Sequence, residues 1–370
     1  MRLSTARPEV NANGVGLNGS APVRMGMLGL NFGEGVARHI RRSVPHIELV
    51  SLCDQNQEKA GQLAKEFRLD HARDLDVLLE DPRIEAIGVF TGPLGRASLI
   101  SRIIAAGRHV MTTKPFETDV VAAARVLDEA RERGLTIHLN SPTPVPAVDV
   151  NQILTWVAEF DLGRPVSMQA STWARYREQA NGTWYDDPAL CPVAPILRLG
   201  IYFLNDFLPL LGTPSRVHVL QSRMFTGRPT VDHAQAGIEF TNGATASVMA
   251  SFCVGDGKPY QDEVVLNYEH GTIRRRMVRL DAPDMGEDYA VLELQSPNGM
   301  ARFQTPPGAY AGWYQWQAFA RAVRGEPGVP PQNRDGVLYG LQLLAAIARA
   351  GRTGQTENVE IPARPAYIYS

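Results

Sequence analysis

Cysteine is scarce: Cys53, Cys191 and Cys253 are the only three in 370 residues, and they are widely separated. They form no paired metal-ligand spacing and no disulfide framework, so a reducing compartment is expected. The eight histidines likewise lack metal-ligand spacing, and no metal is expected. Net charge is only −2 with both signs scattered, leaving no basic stripe for a nucleic acid. No apolar run approaches the roughly 18 residues that cross a bilayer. Residues 1–22 lack the apolar stretch of a secretion signal and read as a flexible, Gly/Asn-rich extension, so a cytoplasmic protein is expected. A Gly-x-Ser-x-Gly elbow and a phosphate-loop Gly-Lys-Ser/Thr are both missing, which argues against an α/β-hydrolase or a nucleotidase of that type. There is no internal repeat.

What is there suits two domains, each large enough to bury a stable core. From Val23, short apolar strands alternate with amphipathic helices: "VRMGMLGL", "VARHIRRS", "IELVSLC", "QEKAGQLAKEF", "IEAIGVF", "ASLISRIIAAG", "HVMT", "VVAAARVLDEARERG" and "LTIHL". Parallel strands need crossover connections and become buried on both faces, so residues 23–145 are expected to form a doubly wound α/β domain. Residues 146–370 change character. After one helix, "VDVNQILTWVAEF", they run through alternating segments separated by turns such as "TNG", "EHG" and "PNG", as in one large, mostly antiparallel sheet. Two late helices, around "WYQWQAFARAVRG" and "GVLYGLQLLAAIARAG", close the chain.

The stretch "GMLGLNFGEG", residues 26–35, follows the first strand and opens a helix. A glycine-rich turn in that place presents backbone N–H groups to a pyrophosphate. Gly29 permits the tight turn, but Asn31 stands where the usual pattern has its second glycine, and Gly33 is displaced by one position. Asparagine tolerates positive φ, so a slightly different loop is expected, with Gly29, Asn31, Phe32 and Gly33 against the cofactor. The second strand ends at Asp54, where a carboxylate would take the adenosine ribose hydroxyls. Gln55, Asn56 and Gln57 follow, with no cation before Lys59, so NAD is favoured over NADP. Alternatively, Asp54 caps the helix that follows.

Together with "VFTGPLGRASLISRIIAAGRHVMTTKPFE" and "ILRLGIYFLND", these elements resemble the glucose-fructose oxidoreductase/inositol dehydrogenase family from Val23 onward. The resemblance implies a nicotinamide-binding Rossmann domain joined to an α+β domain with an open-faced sheet, and a pocket between them. It puts Lys114 beside the nicotinamide, with Thr113 where relatives usually carry glutamate. There the lysine would bond the reacting hydroxyl and stabilise charge developing on oxygen. A surface lysine after a strand is the alternative. Thr91, Pro93 and Asn140 fall at strand ends on the carboxyl edge of the sheet, where ligands of such folds bind, and ordinary turn chemistry is the alternative for each.

The common family pattern Asp-x-Gly-x-His-x-x-Asp reads here as Arg198, Gly200, Tyr202 and Asn205. A subset of the family has tyrosine in the histidine's place, so Tyr202 is the expected proton-transfer partner of Lys114. Asn205 is expected to orient the substrate or Tyr202. Lys114 and Arg198 together would lower a phenol pKa that starts near 10. The alternative is a helix tyrosine packed beside a surface arginine. Arg96 falls where relatives often carry histidine, and two arginines would suit an acidic sugar. Trp173, Tyr176, Trp184 and Tyr185 crowd residues 171–192, suited either to stacking on sugar rings or to packing on a neighbouring subunit.

The expected activity is an NAD-dependent dehydrogenase or reductase acting on a secondary alcohol of a sugar, sugar acid or cyclitol. Two rivals remain: an enzyme that oxidises, eliminates and re-reduces a glycoside, and a cofactor-holding regulator without turnover. A homodimer or homotetramer through the C-terminal sheet is expected, because an open apolar face usually marks a contact surface.

Overall fold

The computed structural model describes residues 21–258, 260–280, 287–329 and 332–360, so most of the expected N-terminal extension lies outside the described residues. The first unit is built from β1 (Val23–Leu28), α1 (Gly33–Ser43), β2 (Ile47–Cys53), α2 (Gln57–Phe67), β3 (Asp70–Ala72), α3 (Leu75–Glu80), β4 (Ala86–Val89), α4 (Arg96–Ala105), β5 (His109–Thr112), α5 (Val120–Glu132) and β6 (Ile137–Leu139). Its strands lie in the order β3-β2-β1-β4-β5-β6, all parallel. The chain reverses direction across the sheet between β1 and β4. Ligands of open α/β sheets bind at that crevice, beyond the carboxyl ends of the strands. The sequence gives little sign of β3, a three-residue edge strand with two exposed positions.

The second unit runs through α6 (Val148–Glu159), β7 (Pro165–Trp173), a π-helical turn (Ile196–Gly200) leading directly into α7 (Ile201–Asp206), then β8 (Pro214–Ser222), β9 (His233–Phe240), β10 (Thr245–Ser251), β11 (Gln261–Tyr268), β12 (Gly271–Val278), β13 (Tyr289–Ser296) and β14 (Gly299–Gln304). The chain closes with α8 (Trp316–Val323), α9 (Arg334–Thr353) and β15 (Glu357–Asn358). Among the described residues nine strands make one sheet, β14-β13-β12-β11-β7-β10-β9-β8-β15, antiparallel apart from the β7–β10 pair.

Alternation along most of the strands explains why one face is covered and the other open. Met168 and Ala170 on β7, Ala236 and Ile238 on β9, and Val248 and Ala250 on β10 point inward under α6, α7 and α9. Val166, Leu220 and Met300 stand exposed on the strands. The late helices return to the first unit. Trp316 and Phe319 of α8 join the core of β1 and α1, while Val337 and Leu341 of α9 pack with α4 and α5. One end of α9 therefore belongs to each core, which fixes the two sheets about the cleft between them.

Candidate active site

The glycine turn is set by sterics. Gly29 has φ of +93°, and a Cβ there would lie 2.9 Å from the Phe90 carbonyl carbon. A side chain is excluded twice, by backbone conformation and by the close crossing of β4. Asp54 ties the end of β2 to this turn, accepting from Leu30 N at 2.6 Å and from Asn56 N at 2.8 Å. The cap of α2 is Asn56, whose side chain accepts from Lys59 N, so helix capping does not account for Asp54.

Gly29, Asn31, Phe32 and Asp54 line one end of a cavity of about 1180 Å³ that continues past Thr91, Pro93 and Lys114 into the space above the second sheet. Gly33 does not line it; a Cβ there would sit 3.1 Å from Phe90 Cβ, so its smallness seats α1 against the end of β4.

Lys114 lines the cavity instead of standing on the outer surface. The end of β5 delivers it half-buried to the cleft floor, where Nζ donates to the Arg198 carbonyl at 2.5 Å and lies 4.5 Å from the centre of the Tyr202 ring. Burial lowers its pKa to about 7, with Arg198 and Arg96 adding repulsion. Its backbone N–H donates to Asn140 Oδ1 at 3.1 Å, and Asn140 Nδ2 donates to the Gly312 carbonyl at 3.0 Å. Asn140 thus joins the ends of β5 and β6 to the Tyr310–Tyr314 turn. That turn closes over Tyr202: Gly312, at φ of +92°, leaves no room for a Cβ, which would lie 2.8 Å from the ring. The turn also lines the cavity. Its sequence signal was the aromatic density of "YAGWYQW".

Four sequence expectations for the second unit are corrected. Burial, followed by Tyr260 and Tyr314, pushes the Tyr202 phenol well above its ordinary value, so it is not a phenolate base near neutrality. Arg198 does not act on that phenol: its guanidinium pairs with Glu178 at 2.8 and 3.0 Å and stacks on Tyr185 at 4.1 Å. Asn205 is buried outside the cavity wall, donating from Nδ2 to the Ser141 carbonyl at 3.1 Å and thereby bracing the interdomain segment. Trp173 is also off the cavity, on the open face of the sheet, where Nε1 donates to Asp256 at 2.9 Å. Trp184 does line the cavity.

Arg96 is likewise unavailable to a substrate. It is 1% exposed and donates to the carbonyls of Thr91, Thr113, Pro115 and Phe116, bracing the loops that carry Thr91 and Lys114. The far wall holds a charged cluster unforeseen from sequence: Arg275 pairs with Asp149 at 2.9 Å and with Asp262, and Arg279 pairs with Asp262 at 3.0 Å and Asp288 at 2.8 Å. An inward arginine in the alternating "TIRRRM" of β12 was the available signal. Among the described residues, the arginines lining the substrate half of the cavity thus already face carboxylates or backbone carbonyls.

The GFO/IDH/MocA oxidoreductase family model, described as an NAD-binding Rossmann fold, matches residues 23–141, and the GFO/IDH/MocA C-terminal domain model matches residues 150–274. A dTDP-3,4-didehydro-2,6-dideoxy-alpha-D-glucose 3-reductase of Streptomyces violaceoruber is 28% identical over 181 residues, 47% of this chain but only 49% of that enzyme. A 1,5-anhydro-D-fructose reductase of Ensifer adhaerens is 24% identical over 85% of this chain and 91% of its own. The crystal structure of a 3-ketoreductase of Actinomadura kijaniata in complex with NADP superposes with a TM-score of 0.68 at 21% identity, covering 90% of this chain and 97% of the other. With both domain models matched in order and the glycine turn, Asp54 and Lys114 on one cleft, the chain belongs to the GFO/IDH/MocA oxidoreductase family and carries its NAD-binding Rossmann domain.

Proposed function

We propose that the protein is an NAD-dependent oxidoreductase that interconverts a secondary alcohol and a ketone on a neutral sugar or cyclitol. The observation carrying this reading is the half-buried Lys114 amine, with a pKa of about 7, beside the neutral Tyr202 phenol in the cleft that also contains Gly29 and Asp54. The turn fits a dinucleotide: Gly29 lets it cross against the Phe90–Thr91 backbone, where a Cβ has no room, and the Asp54 carboxylate at the neighbouring strand end would take ribose hydroxyls. Asn31, Phe32, Thr91 and Pro93 would wall the groove. When bound, NAD supplies or accepts the hydride.

The chain itself handles the proton. In the oxidative direction neutral Lys114 Nζ takes it from the carbinol; in the reverse direction the ammonium returns it to the carbonyl oxygen. Tyr202, kept neutral by burial, donates a hydrogen bond to that same oxygen and stabilises its developing charge. Asn140 fixes the Lys114 backbone and holds the Gly312 turn over the ring. Pairing of Arg198, Arg275 and Arg279 with carboxylates favours neutral hydroxyl-bearing substrates over sugar acids.

Assays of polyols, cyclitols and keto-sugars against their acidic counterparts, followed by NADH fluorescence, test the reading. Turnover only on uronic or aldonic acids would refute the neutral-substrate assignment, and failure to bind NADH would refute the reading as a whole. The open face of the second sheet, with Val166, Leu220 and Met300 exposed, is the proposed homodimer or homotetramer surface, tested by light scattering in solution.

A further inference from the structure

Arg198 stands where the family's common pattern has an acid, yet its guanidinium turns away from Tyr202 and into the segment that carries Trp184. Glu178 accepts from both terminal guanidinium nitrogens of Arg198, at 2.8 and 3.0 Å, and also from Arg228 Nε at 3.0 Å. Arg228, 6% exposed, continues to Asp186, whose carboxylate holds the Asn181 and Gly182 N–H groups at 2.8 and 2.6 Å. Thr230 Oγ1 donates to the Tyr185 carbonyl at 3.0 Å. Arg198 lies over the Tyr185 ring at 4.1 Å, and the Tyr185 and Trp184 ring centres are 4.1 Å apart.

The end of this chain of contacts reaches the other domain. A Cβ on Gly92 would lie 3.0 Å from Trp184 Nε1, so the indole rests on the Thr91–Gly92–Pro93 loop at the carboxyl end of β4. Trp184 therefore bridges the cleft from the second unit, directly over the edge of the sheet where dinucleotides bind. Four charged side chains would be an expensive way to hold a loop that had only to connect two elements.

We propose that Trp184 is a latch on the dinucleotide groove that slows cofactor release, and that Arg198 is the positioning residue that keeps it shut through Tyr185 and Glu178. The proposal rests on the NAD-dependent reading above. Arg198 occupies its position as a structural cation for the latch and makes no contact with substrate.

The test is stopped-flow release of NADH from the full chain, chased with excess NAD and read by nicotinamide fluorescence. Trp184→Ala is expected to release NADH about tenfold faster, the equivalent of roughly 1.4 kcal/mol. Arg198→Ala should match it, and the double variant should be no faster than Trp184→Ala alone. Arg198→Lys, which keeps charge but loses the planar fork, should fall between wild type and Arg198→Ala. Gly92→Ala attacks the contact from the other side: its methyl would press on the indole, which must give by a few tenths of an ångström, so release should accelerate while residues 174–192 keep their sequence. If wild type holds NADH and Trp184→Ala and Gly92→Ala release it at the wild-type rate, the latch is wrong and the enzymatic reading survives. Additive effects of Arg198→Ala and Trp184→Ala would overturn the positioning role. A wild type that fails to bind NADH would overturn both.

Discussion

The two halves of the cleft are built from different materials. On the Rossmann side the backbone does most of the shaping: Gly29 crosses β4 at contact distance, Asp54 holds the Leu30 N–H, and the Arg96 guanidinium is consumed by carbonyls. On the sheet side, side-chain ion pairs do it, joining Glu178 to Arg198 and Arg228, and Asp149 to Arg275, across long stretches of chain. The first half offers its ligand edge at a place that follows from strand order. The second rests on charged side chains that can change one at a time, at a cost in stability wherever the pair is buried. Lys114 sits at the seam, carried by one half and hydrogen-bonded to the Arg198 carbonyl of the other.

The largest effect is expected at that seam. Lys114→Met should lower turnover about 10³-fold by removing the proton carrier, while NADH still binds, as measured by fluorescence titration. The same change should raise stability. Burial disfavours the ammonium, whose pKa falls from 10.5 to about 7, so between those values the unfolded chain binds the extra proton and wild-type stability rises with pH. Methionine removes that dependence and should add about 2 kcal/mol near neutrality, read from denaturant melts. A variant as unstable as wild type at pH 7 would mean that the amine carries no burial penalty.

Next comes the far wall. Asp149 is fully buried, pairs with Arg275 and accepts the Ala311 N–H at 2.9 Å, which holds the Tyr310–Tyr314 turn over Tyr202. Asp149→Ala leaves a buried guanidinium short of one partner and frees that turn, so a loss of about 3 kcal/mol is expected in chemical denaturation. If the cost were no larger than that of a surface substitution, the sheet half would owe its shape to packing rather than to ion pairs.

A third, smaller effect separates the two proton-handling groups. Tyr202→Phe should reduce kcat about 10²-fold by loss of one hydrogen bond to the reacting oxygen. The pH profile of kcat/KM should nevertheless keep its inflection near 7, rising with pH for alcohol oxidation and falling with pH for ketone reduction, because the titrating group is Lys114. Disappearance of that inflection in the phenylalanine variant would return the titration to the tyrosine.

The legibility of the molecule in its sequence follows the same division. The doubly wound unit could be read because most of its elements, the short edge strand β3 apart, declare themselves within a dozen residues, while the expectation for Lys114 came from the family resemblance carried by the stretch around it. The antiparallel sheet could be read from its alternation. Arg96 and Arg198 were misread for a shared reason. Sequence supplies the charge of an arginine but not its partner, and the partners are backbone carbonyls in one case and Glu178, 20 residues upstream, in the other. The Tyr202 phenol was misjudged likewise, since its desolvation depends on the Tyr310–Tyr314 turn more than a hundred positions away.

Trp173 and Trp184 provide the smallest predicted effect and the sharpest contrast. Both lie in one aromatic-rich stretch and look alike as sugar-stacking platforms, but strand parity separates them. Met168, Ala170 and Thr172 of β7 point into the core, so Trp173 must point the other way, onto the open face, where it bonds Asp256. Trp184 lies beyond the end of the strand, in a segment free of that alternation, and reaches the cavity. Trp173→Ala is therefore expected to leave NADH release and KM within about twofold of wild type. Its effect, if any, belongs to the oligomeric state measured by light scattering, because it removes apolar area from the open face. A rise in KM without a change in assembly would bring that face of β7 into the substrate site and contradict the register of the sheet.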